Sequence, residues 1–129
     1  MVDRPALSRG EMEVARALWE LGTGTVRQVH EALSEQRGME FSTVQTYLRR
    51  LEEKGYVRVR KEGRTRIYSA KVRARTVIRE TLDDLVDRLF GGDTLPLMKH
   101  LIEDRKISDA ELQELRSMID RLEEQGGES

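Results

Sequence analysis

The sequence predicts a mainly α-helical chain in two parts: three helices and a β-hairpin over residues 1–73, then a helical segment over 74–129. Three observations predict it. Four capping-box signatures mark helix starts: Ser8-Arg9-Gly10-Glu11, Thr25-Val26-Arg27-Gln28, Ser42-Thr43-Val44-Gln45 and Ser108-Asp109-Ala110-Glu111. The hydrophobic period turns from helical to alternating near residue 56 and back to helical from about residue 72. Charge is divided along the chain: residues 1–75 hold 16 Lys/Arg against 10 Asp/Glu, and residues 76–129 hold 7 against 14.

The elements follow in order. A first helix over about 9–21 places Val14, Ala17, Leu18 and Leu21 on one face with Trp19 beside them, and Gly22 and Gly24 end it. A second, over about 25–34, buries Val26, Val29 and Leu33, and Gly38 punctuates the loop after it. A third, over about 42–54, buries Val44, Leu48 and Leu51 at i, i+4, i+7 spacing, with Gly55 placed for a left-handed C-cap after Lys54. Tyr56-Val57-Arg58-Val59-Arg60 and Thr65-Arg66-Ile67-Tyr68 then alternate as half-buried strands do, joined by a loop over Lys61-Glu62-Gly63-Arg64. Beyond residue 72, Ile78, Leu82, Leu85 and Leu89 are spaced 4, 3, 4, and Gly91-Gly92 breaks the run. Leu97, Leu101 and Ile102 form a short apolar face after Pro96, and Leu112, Leu115, Ile119 and Leu122 are spaced 3, 4, 3. Gly126-Gly127 should end the last helix, with the final residues frayed.

Composition narrows the function classes. With no cysteine, disulfide staples, thiolate metal sites and a cysteine nucleophile are excluded. His30 and His100 lie 70 positions apart without metal-ligand spacing, so neither a metal nor any other cofactor is expected. No apolar run approaches the roughly 20 residues of a membrane span, and Met1-Val2-Asp3-Arg4-Pro5 lacks a signal-peptide pattern. A cytoplasmic protein without membrane insertion is expected. Adjacent acids such as Asp83-Asp84 and Glu123-Glu124 point apart on a helix and cannot share a reacting atom, and no serine has a His partner at a recognisable spacing. The chain reads as a non-enzyme.

Three helices followed by a hairpin, in about 65 residues, is the order of a winged helix-turn-helix. The exposed side of the third helix presents Ser42, Thr43, Gln45, Thr46, Arg49, Arg50 and Lys54, types that read base edges and phosphates in a major groove. The hairpin crowds Arg58, Arg60, Lys61, Arg64 and Arg66 around one acid, Glu62. Like charges crowded on a two-stranded ribbon repel, and phosphates would relieve them. Residues 41–75 carry 11 basic side chains against 3 acidic ones, more than a protein-docking surface needs, so double-stranded DNA is the expected partner. The alternative is an interaction protein whose winged helix and C-terminal helices dock other proteins. The acidic C-terminal segment exposes an apolar stripe of Ile78, Leu82, Leu85, Leu89, Leu97, Leu101, Leu112, Leu115, Ile119 and Leu122, which about fifty residues cannot bury alone. Either the stripe folds onto the N-terminal domain or it meets its copy in a second subunit; a homodimer through it would offer two third helices to a pseudo-palindromic site.

Met12-Glu13-Val14-x-x-x-Leu18-Trp19, Thr25-Val26-x-x-Val29, Thr43-Val44-x-Thr46-x-Leu48-x-Arg50-Leu51-x-x-Lys54-Gly55-Tyr56 and Arg88-Leu89-Phe90-Gly91-Gly92 resemble the penicillinase-repressor family, in the family's order, from about residue 7 to 122. The resemblance implies a homodimeric transcriptional repressor on inverted repeats, with an N-terminal winged helix and a C-terminal dimerisation domain. It matches Thr43, Thr46 and Arg50 to the family's recognition helix and Arg64 to Tyr68 to its wing. It also implies, for members tied to antibiotic resistance, a membrane sensor-protease whose signal leads to cleavage in the dimerisation domain, aligned near His100-Leu101. Members of the family often carry Trp near Met39 and Lys at the position of Ser42, so the resemblance implies that one basic contact is absent here. Copper sensing through a C-terminal Cys-x-Cys pair is not implied, because the chain has no cysteine.

Overall fold

The computed structural model describes residues 4–34, 38–104 and 107–127. The elements run α1 (Arg9–Leu21), β1 (Thr23–Gly24), α2 (Val26–Ser34), α3 (Phe41–Glu53), β2 (Val57–Glu62), β3 (Thr65–Ala70), α4 (Ala74–Phe90), α5 (Thr94–Glu103) and α6 (Asp109–Gly127). Two compact units contain them, Met1–Glu80 and Thr81–Ser129, with α4 running from the first into the second.

Three helix starts carry the expected reciprocal bonds. The Glu11 N–H donates to Ser8 Oγ and the Ser8 N–H to Glu11 Oε1 (3.2 and 2.8 Å), and Thr25 with Gln28, and Ser108 with Glu111, repeat the arrangement. The fourth box does not form. Helix α3 begins at Phe41 on Glu40, which makes no side-chain cap, so Ser42 already lies inside the first turn. Its backbone is helical there, and its carbonyl accepts from the Thr46 hydroxyl at 3.0 Å instead. Past α3, Gly55 takes φ +88°, the left-handed turn expected after Lys54.

The core of the first unit joins α1, α2 and α3 to the sheet. Val14, Ala15, Ala17 and Leu18 of α1 meet Val29 and Leu33 of α2 and Val44, Leu48 and Leu51 of α3, with Tyr56, Val57, Tyr68 and Val77 closing the cluster. Trp19 packs against it and donates its indole N–H to the Val72 carbonyl (2.9 Å). Leu21 is a correction: at the last residue of α1, just before the chain turns at Gly22 (φ +84°) into β1, it is exposed.

Strand order is β1-β3-β2, all antiparallel. The two-residue β1 had no sequence signal, being too short for alternation to register; it pairs Thr23 with Ser69 and Gly24 with Tyr68. In the hairpin, Glu62 pairs with Thr65, leaving Gly63 and Arg64 as a two-residue turn. Gly63 takes φ +64° at the first central position, the type II′ requirement, which matches the twist of the flanking strands.

The second unit differs in kind. Among its described residues none is buried. Phe90 and His100 place their ring centroids 6.1 Å apart, and His100 Nδ1 lies 2.8 Å from Asp104 Oδ2. Helix α6 continues through Gly126 and Gly127, where a break was expected; glycine costs a helix about 1 kcal/mol but does not forbid it. The expected fraying of Glu128 and Ser129 lies outside the described residues.

Candidate nucleic-acid interface

Burial of Val44, Leu48 and Leu51, each fully inaccessible, turns the rest of α3 outward. Ser42, Gln45, Thr46, Arg49 and Arg50 are exposed and Thr43 is half-buried, a shallow depression being lined by Ser42, Thr43, Thr46, Tyr47 and Arg50. This is the face expected from periodicity. Tyr47, which no sequence motif marks, takes part in it: the Arg50 guanidinium lies 5.8 Å from the Tyr47 ring centroid, within cation–π range. The same ring approaches Gly10 of α1, where a Cβ would come within 2.6 Å of Cε2 and Cζ. The missing side chain at position 10 is what lets the ring come this close to α1.

Lys54, expected on the exposed side of α3, has partners within the protein. Its Nζ donates to Glu11 Oε1 at 2.6 Å and to the Ala6 carbonyl at 3.0 Å, and its side chain is only 26% exposed. Glu11, the box residue of α1, is itself 2% exposed. Burial pushes its pKa up, but the hydrogen bonds from Lys54 and from the Ser8 backbone outweigh it and hold the carboxyl below its usual value. The Lys54 ammonium therefore neutralises a buried carboxylate and ties the end of α3 to α1, rather than standing free for a phosphate.

A second tie involves residues ahead of α1 that no motif flagged. Arg4 donates from Nη2 to both carboxylate oxygens of Glu80 in α4 (3.0 Å to each), and its guanidinium sits 5.5 Å from the Tyr56 ring centroid. The Tyr56 hydroxyl donates to the Pro5 carbonyl at 2.7 Å. Ser-x-x-Glu at residues 8–11 gave notice of Glu11 as a cap; nothing local could announce contacts spanning 76 residues.

The wing divides its charges. Strand alternation sends Arg58 and Arg60 to one face and Lys61 and Arg66 to the other, past Val57, Val59 and Tyr68 at the core end, with Arg64 in the turn. Lys61 and Arg66 are direct cross-strand partners, an unfavourable like-charge pair. Arg60 reaches Glu62 and Arg66 reaches Glu52 of α3, each at 3.4 Å across exposed side chains. Among the described residues, Arg49, Arg50, Arg58, Lys61 and Arg64 have no carboxylate within ion-pairing distance. Five exposed cations without counterions thus line one helix and one hairpin.

The stripe residues of the C-terminal part are all accessible. Ile78 (in the first unit), Leu82, Leu89, Leu101, Leu112, Ile119 and Leu122 are exposed, and Leu85, Leu97 and Leu115 are half-buried. His100 and Leu101 both lie inside α5. No helix of the described residues is long and apolar enough to cross a membrane.

The sequence profile of the penicillinase repressor family matches residues 7–121. The penicillinase repressor of Bacillus licheniformis is 26% identical over 116 residues, covering 90% of this chain and 91% of that protein. The methicillin resistance regulatory protein MecI of Mammaliicoccus sciuri is 23% identical over 115 residues, covering 89% of this chain and 94% of that one. Among solved structures, the Bacillus licheniformis BlaI monomeric form in complex with the blaP half-operator aligns with a TM-score of 0.50 and 31% identity, over 57% of this chain and 90% of that one. With the winged-helix fold and the unpaired basic surface, these likenesses lead to one conclusion: the chain belongs to the penicillinase repressor family and is a DNA-binding transcriptional repressor.

Proposed function

We propose that this repressor acts as a homodimer on an inverted-repeat operator, with α3 in the major groove of each half-site and the wing on flanking phosphates. The observation that carries the reading is the set of five exposed, unpaired cations on α3 and the hairpin, beside Ser42, Thr43, Gln45 and Thr46. Arg50, Gln45 and the two threonines are the base readers; Arg49, Arg58, Arg60, Arg64 and Arg66 hold the backbone, Arg60 and Arg66 by exchanging weak exposed ion pairs for phosphates. The relative that was solved with a half-operator supports the docking mode, since its likeness covers the winged helix.

The dimer is supported by the second unit, whose apolar side chains have no core of their own. Residues 1–73 serve as the DNA-binding domain and 74–129 as the dimerisation domain in this reading, the first turns of α4 forming the connection. Relief of repression by cleavage near His100-Leu101, under a membrane sensor-protease, follows from the family resemblance; the bond sits within α5, so cleavage requires that helix to unwind locally. Resistance genes are the regulated class that the resemblance suggests, and action on an operator places the protein in the cytoplasm.

Salt dependence tests the reading. Affinity for a two-fold-symmetric duplex selected by the protein should fall roughly 1,000-fold or more between 50 and 200 mM salt, the scale for six or more phosphate contacts. An affinity that hardly moves over that range would remove the electrostatic footprint and the proposed interface with it.

A further inference from the structure

Phe41 is the first residue of α3 and an exposed one, 45% accessible in a helix that buries Val44, Leu48 and Leu51 completely. It stands at i, i+4, i+8 with Gln45 and Arg49, so its ring opens the same outward stripe. From α2, His30 meets it edge-on, with ring centroids 5.7 Å apart and planes at 73°. That contact restricts the ring without covering it. An aromatic placed only to pack α2 on α3 would be expected inside the cluster formed by Val29, Leu33, Val44 and Leu48, and Phe41 is not among its members.

We propose that Phe41 reads the C5-methyl group of a thymine in each half-site. The inference rests on the docking of α3 in the major groove proposed above. The N-terminal residues of such a helix lie against base edges. Of the four standard bases only thymine offers an apolar group there, and a phenyl ring is one of the side chains that contact it. Adenine, guanine and cytosine present polar edges that a phenyl ring would desolvate without compensation. His30 is the positioning residue, holding the ring against α2 so that its free face meets the groove. Phe41 thereby supplies specificity at a position where Ser42, its neighbour, offers only a short hydroxyl.

The test uses duplexes that the full-length protein selects from a random-sequence library, resynthesised with deoxyuridine in place of each thymidine in turn. Deoxyuridine keeps the pairing and the O4 acceptor and lacks only the methyl. Wild type should lose about fourfold in affinity at one thymine per half-site, the worth of one buried methyl, and about fifteenfold when both are replaced. Phe41→Ala should bind the thymidine and deoxyuridine duplexes equally at that position while discriminating normally elsewhere, and Phe41→Leu should retain about a twofold preference. Thermal unfolding monitors folding of both variants, and Phe41→Leu decides the matter if Phe41→Ala does not fold. Discrimination unchanged in the folded variants at every thymine overturns the proposal while leaving DNA binding intact. Failure to select any duplex overturns both.

Discussion

At the scale of single residues, Glu11 and Lys54 show how a capping motif doubles as a core device. Glu11 caps α1, yet it is buried, and among the described residues the Lys54 ammonium alone balances its charge. The two partners are not equivalent. Lys54 is a quarter exposed and can turn to water when Glu11 is removed, whereas Glu11 cannot escape when Lys54 is removed. Lys54→Met should therefore cost about 3–5 kcal/mol of stability at neutral pH, and Glu11→Gln, which keeps a hydrogen-bonding cap, about 2 kcal/mol or less, both read from denaturant midpoints. The pH dependence has a definite sign. Glu11 has its folded pKa lowered, so its contribution is full above the ordinary carboxylate value and is lost as pH falls through the folded one. The Lys54→Met penalty should shrink at acidic pH, where a protonated Glu11 needs no cation; a penalty constant down to pH 3 would mean that packing, not charge, is what Lys54 supplies. Gly10 offers a second residue-scale case, because two effects oppose. Alanine in a helix gains about 1 kcal/mol over glycine, but here its Cβ would push on the Tyr47 ring, which is half-exposed and free to swing away. Gly10→Ala should leave the thermal midpoint within a few degrees of wild type and yet weaken operator binding several-fold, because Arg50 loses its aromatic support. Equal affinity would show that the Tyr47 stacking does not position Arg50.

Among the elements, the hairpin keeps a feature that harms the free protein. Lys61 and Arg66 face each other across the strands, where opposite charges would contribute roughly 0.2–1 kcal/mol and like charges oppose pairing. Lys61→Glu should thus raise the thermal midpoint of the DNA-free protein while lowering duplex affinity and flattening its salt slope, two effects of opposite sign from one substitution. A midpoint that falls with it would mean that the wing pair is already relieved by solvent. Much of this architecture was legible beforehand. Capping boxes and 3.6-residue periodicity locate α1 and α2 to within a residue, periodicity and Gly55 locate α3, and the alternation in residues 56–60 and 65–68 discloses the hairpin. The exposed face of α3 followed from knowing its buried one. What was not legible is long-range or geometric. Ser42 has the composition of a cap but not the place, since α3 begins one residue before it. Lys54 looked like another free cation of the basic run because its partner is 43 residues away. Tyr47 and Arg4 act through contacts with Gly10 and Glu80 that no local pattern encodes.

For the whole molecule, the two units have opposite physical characters that belong together. The first buries a continuous core and presents cations; the second is acidic and buries nothing among its described residues. Its apolar side chains are accessible in the single chain: Leu112 is 43% exposed, Ile119 56% and Leu122 65%. Exposed apolar side chains of this kind suit the proposed dimer, in which a second copy would bring a matching stripe by symmetry. In the proposed complex, negative charge on that unit would also keep it off the phosphates. The consequence for binding is arithmetic. Linking two half-site modules makes the second engagement intramolecular, so a dimer can exceed one module's affinity by 100-fold or more without any new contact, on the order of avidity gains generally. Leu112 and Ile119 suit the test because both are exposed in the single chain, so glutamate there should cost the isolated fold little. Leu112→Glu with Ile119→Glu should sediment as a monomer, lose about 100-fold on the full duplex, and bind a single half-site as wild type does. A variant that remains dimeric would move the interface away from α6. A monomer that keeps full affinity would instead show that one winged helix, with its five unpaired cations, accounts for repression alone.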